Sequence, residues 1–353
     1  MSALDLSKEW VIVYPPVLTA SGKCVLDLSR CLGLLAGSGG KQGRNPPAIV
    51  DSAVFSGAEA EIILNYDNSG PERNGFMWRA ETTKVEIFGE SYRGLCNGIY
   101  SFLATLGIRW PAPGQEQLPS VLAGDSLVFP LSNSSINEPS GNIDGSGAAA
   151  PRQRLIFPCQ KSNKVPKKSD VFAAWAARQR RDAVILPLSA FTAGNRNKIK
   201  RLRDHLAEYD IALEAGGREL SSLIPRSYYL FYKDIFRMDD GKRKKEHHFC
   251  PTNPEAIKLI KKTGAVLFRK AGTNGGNIDV FHLWPEKEAE SLWCSCPSCR
   301  AFTHPEQNRI VVNAASDALS DVFPGAYITF YEKPGEVCNV PLRKSLIRME
   351  TLP

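Results

Sequence analysis

The sequence predicts an α+β domain over its first third, followed by an α/β domain built of parallel βα units. Three observations support this division. Up to residue 131 apolar strand segments come close together and share two amphipathic helices. From residue 152 onward short apolar runs alternate with helical segments, the pattern of parallel strands joined by crossover helices. Between the two, residues 132–151, SNSSINEPSGNIDGSGAAAP, are too rich in Ser, Asn and Gly to bury much surface and read as a flexible linker. The expected domains are therefore 1–131 and 152–353.

In the first region EWVIVYPP reads as a strand ended by two prolines. Cys24 to Gly37 is expected to be helical, with Val25, Leu28, Leu32 and Leu35 on one face. AEIILNY is an apolar strand, and GFMWRAE and KVEIFGE alternate around Thr82 and Thr83 as a hairpin would. Arg93 to Leu106 places Leu95, Ile99, Phe102, Leu103 and Leu106 on one helical face, and Gly107 follows where a helix end favours positive φ. These strands and two helices predict a small α+β sandwich of one sheet and two helices.

In the second region RLIFP, DAVILPL, IALEAGG, IDVFHLW, AYITFY and SLIRME are the expected strands. Helices are expected over Asp170–Arg181, Lys198–Tyr209 and Arg309–Phe323. Another opens with Asn253 as N-cap and Pro254 at its first position. No Gly-rich phosphate or dinucleotide loop follows any strand.

With 43% hydrophobic and 23% charged residues, the chain has an ordinary globular composition. No run approaches the ~18 apolar residues of a membrane span. The N-terminus lacks the basic start and apolar core of a secretory signal, and nine mostly scattered cysteines suit a reducing compartment. A cytoplasmic location is expected. The net charge of +7 sits in KVPKK, RQRR, KIKRLR and KRKK; with no groove-reading or aromatic-interleaved motif beside them, these runs read as solvated faces and argue against nucleic acid as a partner.

Two stretches carry a family resemblance. ESYRGLCNGIYSFLATLGIRWPAPG, Glu90 to Gly114, resembles the end of the N-terminal domain shared by xylan α-glucuronidases and β-hexosaminidases, which precedes a catalytic barrel. GGRELSSLIPR, FRMDDGKRKKEHHFCPTNPEA and FHLWPEKEAESLWCSCPSCR together resemble an uncharacterised bacterial family of the DUF4838 type. The resemblance implies a β-hexosaminidase domain 2-like accessory domain joined to a glycosidase-like (β/α)8 barrel. About six strands in roughly 200 residues fall short of a closed barrel's eight strands and ~250 residues, so the barrel is expected to be incomplete, its open side covered by a homo-oligomer partner. The chain departs from the family pattern at Gly216, Gly217 and Arg218, where Gly-Gly-His is expected. It also departs at Glu286, Lys287 and Glu288, in place of an Asp-bearing loop, and at Tyr331, Glu332 and Lys333, in place of Tyr-His-Asp.

The candidate site lies past the end of the IDVFHLW strand. Glycoside hydrolysis needs two carboxyl groups and no cofactor, and Glu286 and Glu288 are the candidates, with Glu286 as the acid. Trp284 offers a stacking face for a sugar. Arg218 and Arg226 suit a uronate, and His247 and His248 offer hydrogen bonds to a substrate. Asp239 and Asp240, before Gly241, read as turn formers, and Tyr228, Tyr229, Phe231, Tyr232 and Phe236 read as core before glycan cleft. Cys294, Cys296 and Cys299 form a C-x-C-x-x-C group which, closed by Cys250 or His304, would make a structural zinc site. Three function classes follow: a glycoside hydrolase acting on a glycan or uronide, a non-catalytic glycan-binding or structural relative, and a zinc-stapled interaction module.

Overall fold

The computed structural model describes residues 3–15, 22–37, 45–67, 74–119, 128–130, 135–138, 154–156, 164–333, 335 and 337–349. The chain divides into two compact units. One holds the elements before residue 154 together with Lys168–Ala183 and Asp204–Ala212; the other holds Val184–Arg203 and the chain from Leu213 on. The division differs from a clean cut at residue 152, because the helix after the first expected barrel strand groups with the first unit.

The first unit contains β1 (Ala3–Asp5), β2 (Trp10–Tyr14), α1 (Lys23–Gly37), β3 (Ala48–Asp51), β4 (Ala60–Tyr66), β5 (Phe76–Ala80), β6 (Lys84–Gly89), α2 (Tyr92–Thr105), β7 (Val128–Pro130) and β8 (Ser135–Glu138). Six strands form a mixed sheet in the order β3-β2-β4-β6-β5-β8, with β2, β3, β4 and β6 parallel and β5 antiparallel to both β6 and β8; β1 and β7 pair separately. The expected strands, hairpin and helices are all present, while the edge strands β3 and β8 are additions. β8 lies inside the segment expected to be a linker; the rest of that segment falls outside the described residues. Strands β4, β5 and β6 alternate buried and less buried positions, so one face takes the helices. Helix α2 is buried from Arg93 to Leu103, and Gly94 explains how it sits so close to the sheet. A Cβ there would lie 2.4 Å from the Gly75 carbonyl oxygen. Gly107 has φ +91°, as a helix end of this kind requires.

In the second part of the chain lie β9 (Arg154–Ile156), α3 (Ser169–Arg178), β10 (Ala183–Leu186), α4 (Arg196–Ala207), β11 (Ala212–Gly217), the hairpin strands β12 (Met238–Asp239) and β13 (Lys242–Arg243), α5 (Pro254–Gly275), β14 (Val280–Leu283), α6 (His304–Ser320), β15 (Tyr327–Tyr331) and β16 (Leu346–Met349). Their sheet runs β9-β10-β11-β14-β15-β16, and β11/β14, β14/β15 and β15/β16 pair in parallel. Apart from the β12–β13 hairpin, spatial order follows chain order. That winding in one direction is barrel-like, since a doubly wound sheet would reverse direction at a switch point. The sheet is not closed among the described residues, and its edges are β9 and β16. β10 is buried at all four positions, which accounts for its unbroken AVIL run.

Three local signals explain the loops. Asn253 accepts hydrogen bonds from the backbone of Glu255 and Ala256 and caps α5. Asp240 and Gly241, at φ 47° and 72°, form the two-residue turn of the β12–β13 hairpin. Thr303 and Glu306 make a reciprocal capping box, so α6 begins at His304 and not at Arg309.

Gly216 has φ +112°, and a Cβ there would fall 2.1 Å from the His282 carbonyl oxygen on the neighbouring strand. Gly216→Ala is expected to lose at least ~1–2 kcal/mol from the backbone conformation alone, more with the clash, as a lower urea midpoint. An unchanged midpoint would show that β11 and β14 do not approach this closely.

Candidate functional site

Strands β11 and β14 end side by side, Gly217 opposite Leu283. Backbone hydrogen bonds continue past their ends: the Trp284 N–H donates to Gly217, and the Leu220 N–H donates to Trp284. The first carboxylate of each following loop is thereby fixed against the sheet, Glu219 after β11 and Glu286 after β14. One Glu219 oxygen accepts the Leu188 N–H at 2.7 Å. Glu286 Oε1 accepts the Ser221 hydroxyl. Its Oε2 is buried and has no hydrogen-bond partner among the described residues.

Burial pushes the Glu219 carboxyl up to about 7; the Leu188 amide pulls against this, and the Glu286 charge adds to the rise. The protonated form of Glu219 is therefore favoured towards neutral pH, and no local sequence signal marks this residue. Arg226 donates to the carbonyls of Lys245 and Ser221 and lies over the Phe236 and Phe249 rings, 5.2 and 5.1 Å from their centroids. Burial lowers its guanidinium to about 10, while the Glu286 charge holds it up.

Several expected substrate contacts are corrected. Trp284 is 0% exposed and its indole donates to Thr329 Oγ1 at 3.0 Å, so it is a core residue and not an open stacking face. His248 is also fully buried, stacked on Trp293 at 3.9 Å, with Nε2 donating to the Ala289 carbonyl at 2.7 Å. Burial drives it down to about 3, so it stays neutral and ties the two loops together. His247 is half-buried, in a left-handed conformation at φ 64°. Arg218 is engaged by Glu290 at 2.9 Å and the Pro285 carbonyl at 3.2 Å, and Arg226 by backbone carbonyls, so neither presents an uncommitted guanidinium to a uronate. Glu288 lies exposed on the turn Lys287–Ala289, whereas Glu286 is partly buried. Phe236 is core, but Phe231 and Tyr232 are exposed.

Beneath the strand ends runs a buried polar relay that the sequence reading did not find. His282 Nε2 is 2.8 Å from Glu214, and its Nδ1 is 2.7 Å from the Thr329 hydroxyl, which also accepts the Trp284 indole N–H. The donors and acceptors are consistent if Thr329 donates to Nδ1 and Nε2–H donates to Glu214. The relay crosses β11, β14 and β15 and locks their side-chain register below the carboxylates.

Cys250, Cys294, Cys296 and Cys299 converge, all buried, with their sulfurs within 4.8 Å of one another. His304 stands apart from this group, exposed at the start of α6. Cys250 is held well below the usual thiol range because the Cys294 and Cys299 thiols hydrogen-bond to its sulfur. Four sulfurs so arranged could hold one soft metal ion. Nearby, a small cleft opens between the loops after β14 and β15, lined in part by Pro285, Glu290, Trp293, Asn308 and Tyr331. Neither Glu219 nor Glu286 lines it.

Among the described residues no helix is long and apolar enough to cross a membrane. No protein-family model and no curated protein matches the chain. Solved structures match it in fold. A glycoside hydrolase family 20 β-N-acetylglucosaminidase superposes with a TM-score of 0.52 at 12% identity, covering 94% of this chain and 63% of that one. The chitobiase of Flavobacterium johnsoniae superposes with a TM-score of 0.52 at 14% identity, covering 98% and 52%. The chain thus spans between half and two-thirds of the length of these enzymes. At such identity the likeness is one of architecture: the chain has a glycosidase-like fold, and its six-stranded sheet is consistent with part of a (β/α)8 barrel.

Proposed function

We propose that the chain hydrolyses glycosidic bonds, with Glu219 as the acid that protonates the leaving oxygen and Glu286 as its partner carboxylate. The observation that carries this reading is the carboxyl pair at the ends of adjacent parallel strands, one member pushed up to about 7 by burial. Two carboxyl groups in unequal environments are what an acid and a base or nucleophile require. The role of acid moves from Glu286, where the sequence suggested it, to Glu219, because it is Glu219 whose surroundings favour the protonated form. Glu286 Oε2, buried and without a hydrogen-bond partner among the described residues, is the atom that would act as base or nucleophile. With Arg218 and Arg226 engaged, a neutral glycan suits the site better than a uronide. The family 20 enzymes that share the fold make N-acetylhexosaminides the first substrates to try.

The test is turnover of a panel of aryl glycosides, N-acetylhexosaminides first, by the intact chain and by Glu286→Gln. Activity is expected on at least one substrate, falling at least ~10²-fold in the variant with thermal stability retained. Saturable binding of glycans without turnover across the panel would overturn catalysis and favour the glycan-binding reading.

A further inference from the structure

We propose that Cys250, Cys294, Cys296 and Cys299 form a closed structural Zn²⁺ site that clamps the loop after β11 to the loop after β14. The sulfur spacing is the first argument. A tetrahedral zinc with Zn–S bonds of about 2.3 Å has S···S edges of about 3.8 Å. Cys250 lies 3.7 Å from both Cys296 and Cys299. That is too far for a disulfide, whose sulfurs stand ~2.05 Å apart, and close enough for one shared ion. Four thiols complete the coordination shell, which makes the site structural, with no open position for a substrate.

The surroundings supply a second, independent argument. Thiolate ligands of a bound metal need donors around them. The Met238 N–H points at Cys294 Sγ at 3.2 Å, and Arg243 approaches the same sulfur at 3.8 Å. The Thr252 hydroxyl lies 3.1 Å from Cys299 and 3.5 Å from Cys250. Arg243 offsets part of the double negative charge of a zinc bound by four thiolates. Gln307, almost wholly buried, grips the cysteine loop, accepting from the Cys294 N–H and donating to the carbonyls of Cys294, Cys299 and Phe302. Among the described residues Met238, partly buried, packs against the four cysteines. On loading, the thiols release their protons to solvent and four Zn–S bonds form, with no change of oxidation state.

The clamp does not depend on the hydrolytic reading, and its test is separate from turnover. The intact chain, purified under reducing conditions without added metal, is assayed by elemental analysis and by hydrogen exchange. One zinc per chain is expected. Replacement by Co²⁺ should give the near-ultraviolet charge-transfer bands of cobalt thiolates. Stripping the ion should raise exchange in 238–250 and 284–303, leaving the β2–β6 sheet of the first unit unchanged. Cys250→Ser should lose the metal and Cys338→Ser, outside the cluster, should keep it. If Cys250→Ser fails to fold, titration of the wild type decides: zinc release should expose four thiols to a thiol reagent. A folded, reduced chain with no metal that takes up neither Zn²⁺ nor Co²⁺ would overturn the proposal, as would a native disulfide within the four.

Discussion

Glu219→Gln is expected to lower kcat/KM for a substrate with a poor leaving group by about 10²–10⁴-fold, and for an activated aryl leaving group by much less. A general acid matters most where the departing oxygen cannot carry its own charge. Glu219 suits that task because burial raises its carboxyl to about 7, and the neighbouring Glu286 charge makes a second ionisation harder still. Activity should therefore fall as pH rises through about 7, and the variant should lose that alkaline limb. Stability gives a separate check. A carboxyl raised in the folded state favours folding below its unfolded value near 4.5, and that contribution is lost as pH rises towards 7. Gln, which cannot ionise, should leave the protein at least as stable as wild type at pH 8. A variant that kept the alkaline limb and its activity on the poor leaving group would remove Glu219 from the chemistry.

Why the sequence pointed to Glu286 and not Glu219 is a matter of distance along the chain. Glu286 follows a plain apolar strand and a proline, so its strand-end position could be read locally. Glu219 sits in GGREL, which looks like ordinary loop sequence. What raises its carboxyl is burial, against which the amide of Leu188, 31 positions earlier, pulls. The corrected residues fail for a related reason. Trp284 is two residues after His282, and both reach Thr329, so the period-two rule already placed it on an inward face. His248 is buried by Trp293, a contact no local pattern reveals. Where the signal is local the expectation holds: Asp240–Gly241 makes its turn and Asn253 its cap. The Thr303–Glu306 capping box is an equally local signal, and it starts α6 at His304, ahead of the expected Arg309.

The same contrast holds for the adjacent Arg93 and Gly94 of α2. Arg93→Met is expected to cost about 3–5 kcal/mol, the usual result of removing one partner of a buried ion pair. Arg93 is 1% exposed and faces Asp182, 8% exposed, at 3.6 Å. Its guanidinium also donates to the carbonyls of Tyr209 at 3.3 Å and Ala177 at 3.5 Å, near the end of α3. Gly94 beside it lets α2 approach the sheet closely. One side chain thus ties together α2, the end of α3 and the turn before β11. Methionine would fill much of the volume but leave the Asp182 charge without the guanidinium and two carbonyls with one donor fewer. Urea denaturation of the intact chain measures the loss. The double variant with Asp182→Asn should lose less than the two single losses combined, because the charge left behind in Arg93→Met is then gone. Strict additivity would mean that Arg93 acts through its carbonyl contacts alone.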